Sequence, residues 1–181
     1  MVKVYAVARG FSLVELLVTI AIVAILAAIA LPNFRSTISS TQVNSLATML
    51  YRDLKLAQAE AIRRGKPIGV YANGGTASDW SGGWYVADPS GGGAIVNRDA
   101  PDPRYLVSAN LAGSGTPPSA AAGSVVFQPM GNLVGAATQT FTACERSSSS
   151  SARQQILVRS SGGVLAFALQ NAATSATGCG S

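Results

Sequence analysis

The chain is 181 residues long, enough for one domain and an appendage; 48% of it is hydrophobic and only 12% charged. It contains no histidine, which removes the usual general base and the commonest metal ligand, and its two cysteines are too few for a metal cage. The net charge of +5 drops to +3 once Lys3 and Arg9 are set aside as a leader (eleven basic against eight acidic side chains), too mild to imply nucleic acid by itself.

The first element is an apolar run from Phe11 to Leu31, 21 residues long, which matches the roughly 20 residues needed to span a bilayer. It follows a short leader with Lys3 and Arg9, and it contains one carboxylate, Glu15. A charge at the centre of a membrane costs about 2.5–3.5 kcal/mol on insertion scales, and such groups usually have a partner. Three readings fit the run: a plain transmembrane helix, a secretory signal cut after Ala28-Ile29-Ala30, and a signal cut before the run, which then stays as an anchor. The third is favoured. Gly10-Phe11 marks the polar–apolar boundary, Glu15 is out of place in a signal core, and helical character continues past Pro32.

The stretch Gly10-Phe11-Ser12-Leu13-Val14-Glu15-Leu16-Leu17-Val18, with the apolar continuation to Leu31-Pro32, resembles the N-terminal signature of type IV pilins and of the pseudopilins of type II secretion. The resemblance implies cleavage between Gly10 and Phe11 by a prepilin peptidase and N-methylation of Phe11. It implies a leader kept in the cytoplasm by its positive charge, a single-pass inner-membrane helix and a periplasmic head. In an exported chain, Cys144 and Cys179 read as one disulfide, worth ~4 kcal/mol on the chain-entropy model.

From Asn33 to Arg64 the helix pattern continues. Val43, Leu46, Ala47, Leu50, Leu54, Ala57 and Ala61 recur at three- and four-residue steps, with Arg52, Lys55, Gln58 and Arg63 on the opposite face. Gly65-Lys66-Pro67 supplies the stop. The whole helix would have about 54 residues and ~80 Å, with a kink or local opening at Pro32.

After Pro67 short strands alternate with turns: Ile68–Tyr71, Gly83–Ala87, Tyr105–Val107, Ser124–Gln128, Gln139–Cys144, Gln154–Arg159 and Val164–Leu169. The small-residue stretch from Ala112 to Gly123 reads as a loop, and the serines from Ser147 to Ser151 as a hairpin tip. The fold class is α+β, a long N-terminal helix laid on a C-terminal antiparallel sheet. Four parts follow: a cleaved leader (1–10), a transmembrane or filament-core helix (11–31), its amphipathic continuation (32–65) and a β-rich head (66–181).

In the head, Trp80-Ser81-Gly82-Gly83-Trp84-Tyr85-Val86 with Asp88, then Phe127-Gln128-Pro129-Met130-Gly131, then Phe141-Thr142-Ala143-Cys144, then Arg153 to Val158 with Gly162-Gly163, occur in an order that resembles the GspH/FimT family. So does Ala57-Gln58-Ala59-Glu60-Ala61-Ile62-Arg63-Arg64-Gly65 at the helix end. That family holds minor pilins and minor pseudopilins. The simplest reading of Trp84, Tyr85 and Phe127 is core or sheet packing, and that of Gly131 and Gly162 is turn chemistry.

No enzyme is indicated. Lys66 is followed by Pro67 where a Walker A motif needs Ser or Thr, and no nucleophile–histidine pair can form. Asp99 and Asp102 flank Pro101 in what reads as a solvated turn; no metal and no cofactor is expected. Arg63, Arg64, Lys66, Arg153 and Arg159 are the cations that a nucleic-acid backbone would meet. DNA-binding members of the family resemble one another in a basic Gly-Arg-x-Arg element; here Gly162-Gly163-Val164-Leu165-Ala166 lacks both arginines. The resemblance thus implies a structural minor pilin in the tip or initiation complex of a type IV pilus. The alternatives are a minor pseudopilin of a type II secretion system and a DNA-binding minor pilin for natural transformation. The implied partners are other pilin subunits, prepilin peptidase, the inner-membrane assembly platform and inner-membrane lipid. Glu15 is the expected assembly contact.

Overall fold

The computed structural model describes residues 11–74, 78–111, 123–135, 137–146 and 153–169, without the side chains of 30–36 and 166–169. The predicted loop tip Ser147–Ser151 and nearly all of the Ala112–Gly123 loop lie outside the described residues. Two units divide the chain, Met1–Ile38 and Ser39–Ser181, and α1 (Leu13–Arg64) contributes to both. Its helical assignment runs unbroken through Pro32, a residue whose side chain is outside the description.

In the second unit the predicted stripe forms the centre of the core. Val43, Leu46, Ala47, Leu50, Leu54, Ala57 and Ala61 are all buried against apolar side chains of the strands. Full burial of a leucine stabilises by about 1.5–3 kcal/mol, so this stripe is what holds the helix on the head. Alanine at 57 and 61 lets strands approach the helix closely at its lower end. The helix stops at Gly65, whose φ of 62° is the left-handed conformation that a C-terminal cap needs.

Eight strands follow: β1 (Ile68–Ala72), β2 (Trp84–Ala87), β3 (Val96–Arg98), β4 (Tyr105–Asn110), β5 (Ser124–Phe127), β6 (Gln139–Glu145), β7 (Arg153–Val158) and β8 (Val164–Leu169). All seven predicted strands are present, and β3 is additional. The expectation of one antiparallel sheet is corrected: there are two four-stranded sheets, ordered β3-β2-β1-β5 and β4-β6-β7-β8, with antiparallel neighbours throughout. The reason lies at the edges. β3 has three residues and offers little ladder to extend. The free side of β4 is instead occupied by Ser78–Trp80, through an Asp79–Ser108 bridge, Trp80 N–H to Val107 O (2.9 Å) and Ala109 N–H to Ser78 O (2.8 Å). Leu133 closes the other seam, bridging Phe127 of β5 and donating its N–H to Ser160 O beyond β7 (2.9 Å).

One core joins the inner faces of both sheets with the helix stripe. Trp80 meets Phe141 edge-to-face at 4.8 Å across the first seam. Trp84 and Phe127 are buried there too. Tyr85 is not: it faces outward and stacks on its cross-strand partner Tyr71 at 5.2 Å. The Tyr71 ring lies over Gly69, where a β-carbon would come within 2.5 Å of the phenol, and burial pushes that phenol up to about 12.

A buried carboxylate locks the first sheet to the helix. Asp53, on the flank of the stripe, accepts the indole N–H of Trp84 (2.9 Å) and a two-pronged contact from Arg98, Nε at 2.9 Å and Nη2 at 3.0 Å. This bond raises the guanidinium pKa of Arg98. Charge-assisted bidentate bonds are among the stronger hydrogen bonds, and here they recruit β3, the shortest strand. Replacing Asp53→Ala is expected to destabilise the head by about 3 kcal/mol, the low end for a broken buried pair because Arg98 keeps access to water. Thermal unfolding followed by near-ultraviolet circular dichroism measures it; a loss below about 1 kcal/mol would contradict this role.

Candidate functional site

The N-terminal end of α1 is built from Ser12. Its backbone carbonyl accepts Leu16 N–H (3.2 Å), the first helical bond, and its Oγ accepts Glu15 N–H (3.2 Å). Ser12 is therefore the N-cap, and Ser12-Leu13-Val14-Glu15 has the Ser-x-x-Glu spacing of a capping box. Glu15 thus has a local role besides its predicted one: a carboxylate in the first turn, where the helix dipole favours negative charge. The signal was present in the sequence but is easily read only as a flaw in an apolar run. Gly10 lies outside the described residues.

Every large apolar side chain from Phe11 to Ile29 is exposed, from 52% for Leu17 to 78% for Phe11. They cover all sides of the helix, and Thr19 hides its hydroxyl by donating to Leu16 O (2.8 Å). A surface this apolar must be covered by lipid or by protein. Among the described residues no helix is long and apolar enough to cross a membrane; the predicted span continues to Leu31, past the last described side chain at 29.

The predicted cations do not form one patch. Glu60 accepts Arg63 through Nη2 (2.6 Å) and Nε (3.1 Å), and Arg64 through Nε (2.6 Å). These bonds hold the Glu60 carboxyl at about 2. Asp88, whose pKa is lowered first by hydrogen bonds from Ser90, also feels Lys66 and Arg64. Arg63, Arg64 and Lys66 are therefore set among carboxylates. Arg153 and Arg159 lie at and just beyond opposite ends of β7. Gln154, next to Arg153, donates to Asn44 Oδ1 (2.5 Å), whereas the turn after Arg159 reaches Gln58, fourteen residues and about 21 Å further along the helix.

Asp102 pairs with Arg104 (2.8 Å), and the hydrogen bonds of that arginine bring its carboxyl down to about 2. Among the described residues no cluster of acids, histidines or cysteines is suited to a metal ion. Cys144 is buried and disulfide-bonded; Cys179 lies outside the described residues.

Gln58 is the residue that pattern reading misplaced. Rather than pointing outward, its Nε2 donates to Gly131 O (2.7 Å) and to Gly162 O (2.8 Å). One amide thus fastens the turn after β5 and the turn after β7 to the helix. The two turns back onto each other so closely that a β-carbon on Gly162 (φ 89°) would lie 1.9 Å from Gly131 O, so only glycine fits.

The family described as Type II transport protein GspH matches residues 46–163, and the prokaryotic N-terminal methylation motif matches residues 6–31. Among curated proteins, the chain is similar to the type IV major fimbrial protein FimA of Dichelobacter nodosus, 29% identical over 59% of this chain and 67% of that protein. It is also similar to a fimbrial protein of Pseudomonas aeruginosa, 42% identical over 33% of this chain and 38% of that protein. Among solved structures, its fold is like that of the type IV minor pilin FimU of Pseudomonas aeruginosa (TM-score 0.54, 18% identity, 68% of this chain and 91% of that one). The minor pseudopilin EpsH of the Vibrio cholerae type 2 secretion system is similarly alike in fold (TM-score 0.53, 14% identity, 70% and 97%). With more than half of its length matched, the chain belongs to the GspH family, and it carries the N-terminal methylation motif of prokaryotic proteins.

Proposed function

We propose that this chain is a structural minor subunit of a type IV pilus, cut by prepilin peptidase between Gly10 and Phe11 and N-methylated on Phe11. The observation that carries the reading is the N-terminal helix. The methylation motif covers the start of a helix whose apolar side chains from Phe11 to Ile29 are exposed on every side, and in that stretch Glu15, in the first turn, is the only acid. In the precursor, lipid covers these side chains, with the head in the periplasm, where the disulfide of Cys144, proposed to pair with Cys179, is stable. In the filament, neighbouring helices replace the lipid.

Glu15 then has two functions in sequence. Its backbone N–H serves the Ser12 cap in every state. Its carboxylate, stranded among apolar residues once the helix leaves the membrane, pairs with the N-terminal amine of a neighbouring subunit's methylated Phe11. That pairing sets the axial register. The chain itself performs no chemistry in this reading; the peptidase and an inner-membrane platform act on it.

A minor pseudopilin of a type II secretion system is the second reading, and the fold likeness to EpsH favours it as much as the likeness to FimU favours the pilus. DNA binding has less support, because the candidate cations are separated along the head and interleaved with Glu60 and Asp88.

Mass spectrometry of the mature N-terminus tests the processing: methyl-Phe11 is expected, and a chain beginning at Leu31 would refute it. Glu15→Gln separates the two functions of that residue, since glutamine also suits the third helical position of a capping box. The variant is expected to insert normally but to fall at least about tenfold in sheared filaments, because losing one member of a buried pair costs several kcal/mol. Normal incorporation of Glu15→Gln would rule out the charge pairing.

A further inference from the structure

Met130 is 89% exposed, more than any other large apolar side chain among the described residues, yet its backbone is hydrogen-bonded in place. It occupies the third position of a tight turn, with Pro129 before it fixing φ, closed by Gly131 N–H to Gln128 O (2.8 Å) and braced by Gln128 N–H to Asn132 O (2.7 Å). Gln58 fixes the Gly131 carbonyl from the helix side. Next to the adjoining Gly131 lies Ile62, 55% exposed, with Cδ1 only 3.0 Å from where a β-carbon on that glycine would sit. A flexible, polarisable side chain on an immobile backbone is an adaptable anchor with little ordering cost left on binding.

The charges around this pair have one sign. Lys55 lies on the same flank, its Nζ 3.5 Å from Gln58 Oε1, and Arg159 opens the turn that stacks on Gly131. Residues 128–135 and 159–164 contain no acid. Glu60 projects about 200° around the helix from Gln58 and is engaged by Arg63 and Arg64.

We infer that this flank, the Met130–Ile62 pair with Lys55 and Arg159 beside it, docks onto a neighbouring filament subunit of different sequence that offers an apolar recess rimmed by carboxylates. The inference rests on the filament reading above. A second copy of this chain fits poorly. Of its seven head acids, Asp53, Glu60, Asp79, Asp88, Asp102 and Glu145 already accept hydrogen bonds within the chain, leaving little acidic rim to offer. The contact is small for a free-standing interface, but subunits already joined through their N-terminal helices meet at high effective concentration, where a small anchor suffices.

The test uses the full chain in cells that assemble filaments, with Met130→benzoylphenylalanine for photocrosslinking and Met130→Glu and Met130→Leu for incorporation. The expected result is an adduct with a different filament subunit. Recovery of Met130→Glu in sheared filaments should drop at least fivefold, while Met130→Leu matches the unaltered chain. If the unaltered chain is itself missing from filaments, the filament reading fails. If it is present but Met130→Glu incorporates equally, or the adduct joins only two copies of this chain, the docking surface alone is overturned.

Discussion

The carboxylate of Asp53 is the contact on which the head's geometry depends. Apolar burial holds α1 against the strands, but burial is non-directional and tolerates sliding. Three hydrogen bonds from Trp84 and Arg98 do not. They fix the rotation of the helix against the first sheet, and by engaging Arg98 they give a three-residue strand a reason to stay in place. With the helix fixed, its other flank presents Gln58 to the two glycine turns, and the second sheet is set by the same element.

Much of this was readable beforehand, and what was missed has a common cause. All seven stripe residues from Val43 to Ala61 are buried, because a period of 3.6 needs no knowledge of the partner. Strand positions followed from turn residues in the same local way. Asp53 and Gln58 were not legible as ties, since their partners are 31 to 104 residues distant and a polar side chain near an apolar stripe usually faces water. Strand β3 was missed for a related reason: Val96-Asn97-Arg98 is too short to declare itself, and Arg98 matters only once Asp53 is seen opposite. The division into two sheets is decided by edge contacts at Ser78–Trp80 and Leu133, which no local pattern encodes.

For the candidate site the balance differs. The N-terminal motif is contiguous, so the motif and its exposed apolar surface could be anticipated residue by residue. The five cations could not be judged in that way. Arg63, Arg64 and Lys66 look like a basic cluster in sequence, and the acids that answer them, Glu60 and Asp88, come from one helical turn away and from the loop after β2. Charge counted along a chain overstates charge presented in space.

The shared amide of Gln58 carries a mechanical implication. One of its acceptors closes the turn after β5 in the first sheet, and the other belongs to the turn between β7 and β8 in the second. A subunit proposed to be held in a filament by its N-terminal helix would be loaded through α1. Load arriving at Gln58 reaches two sheets at once, through two N–H bonds of a single amide. A single side chain therefore ties one turn of each sheet to the element through which force would enter the head.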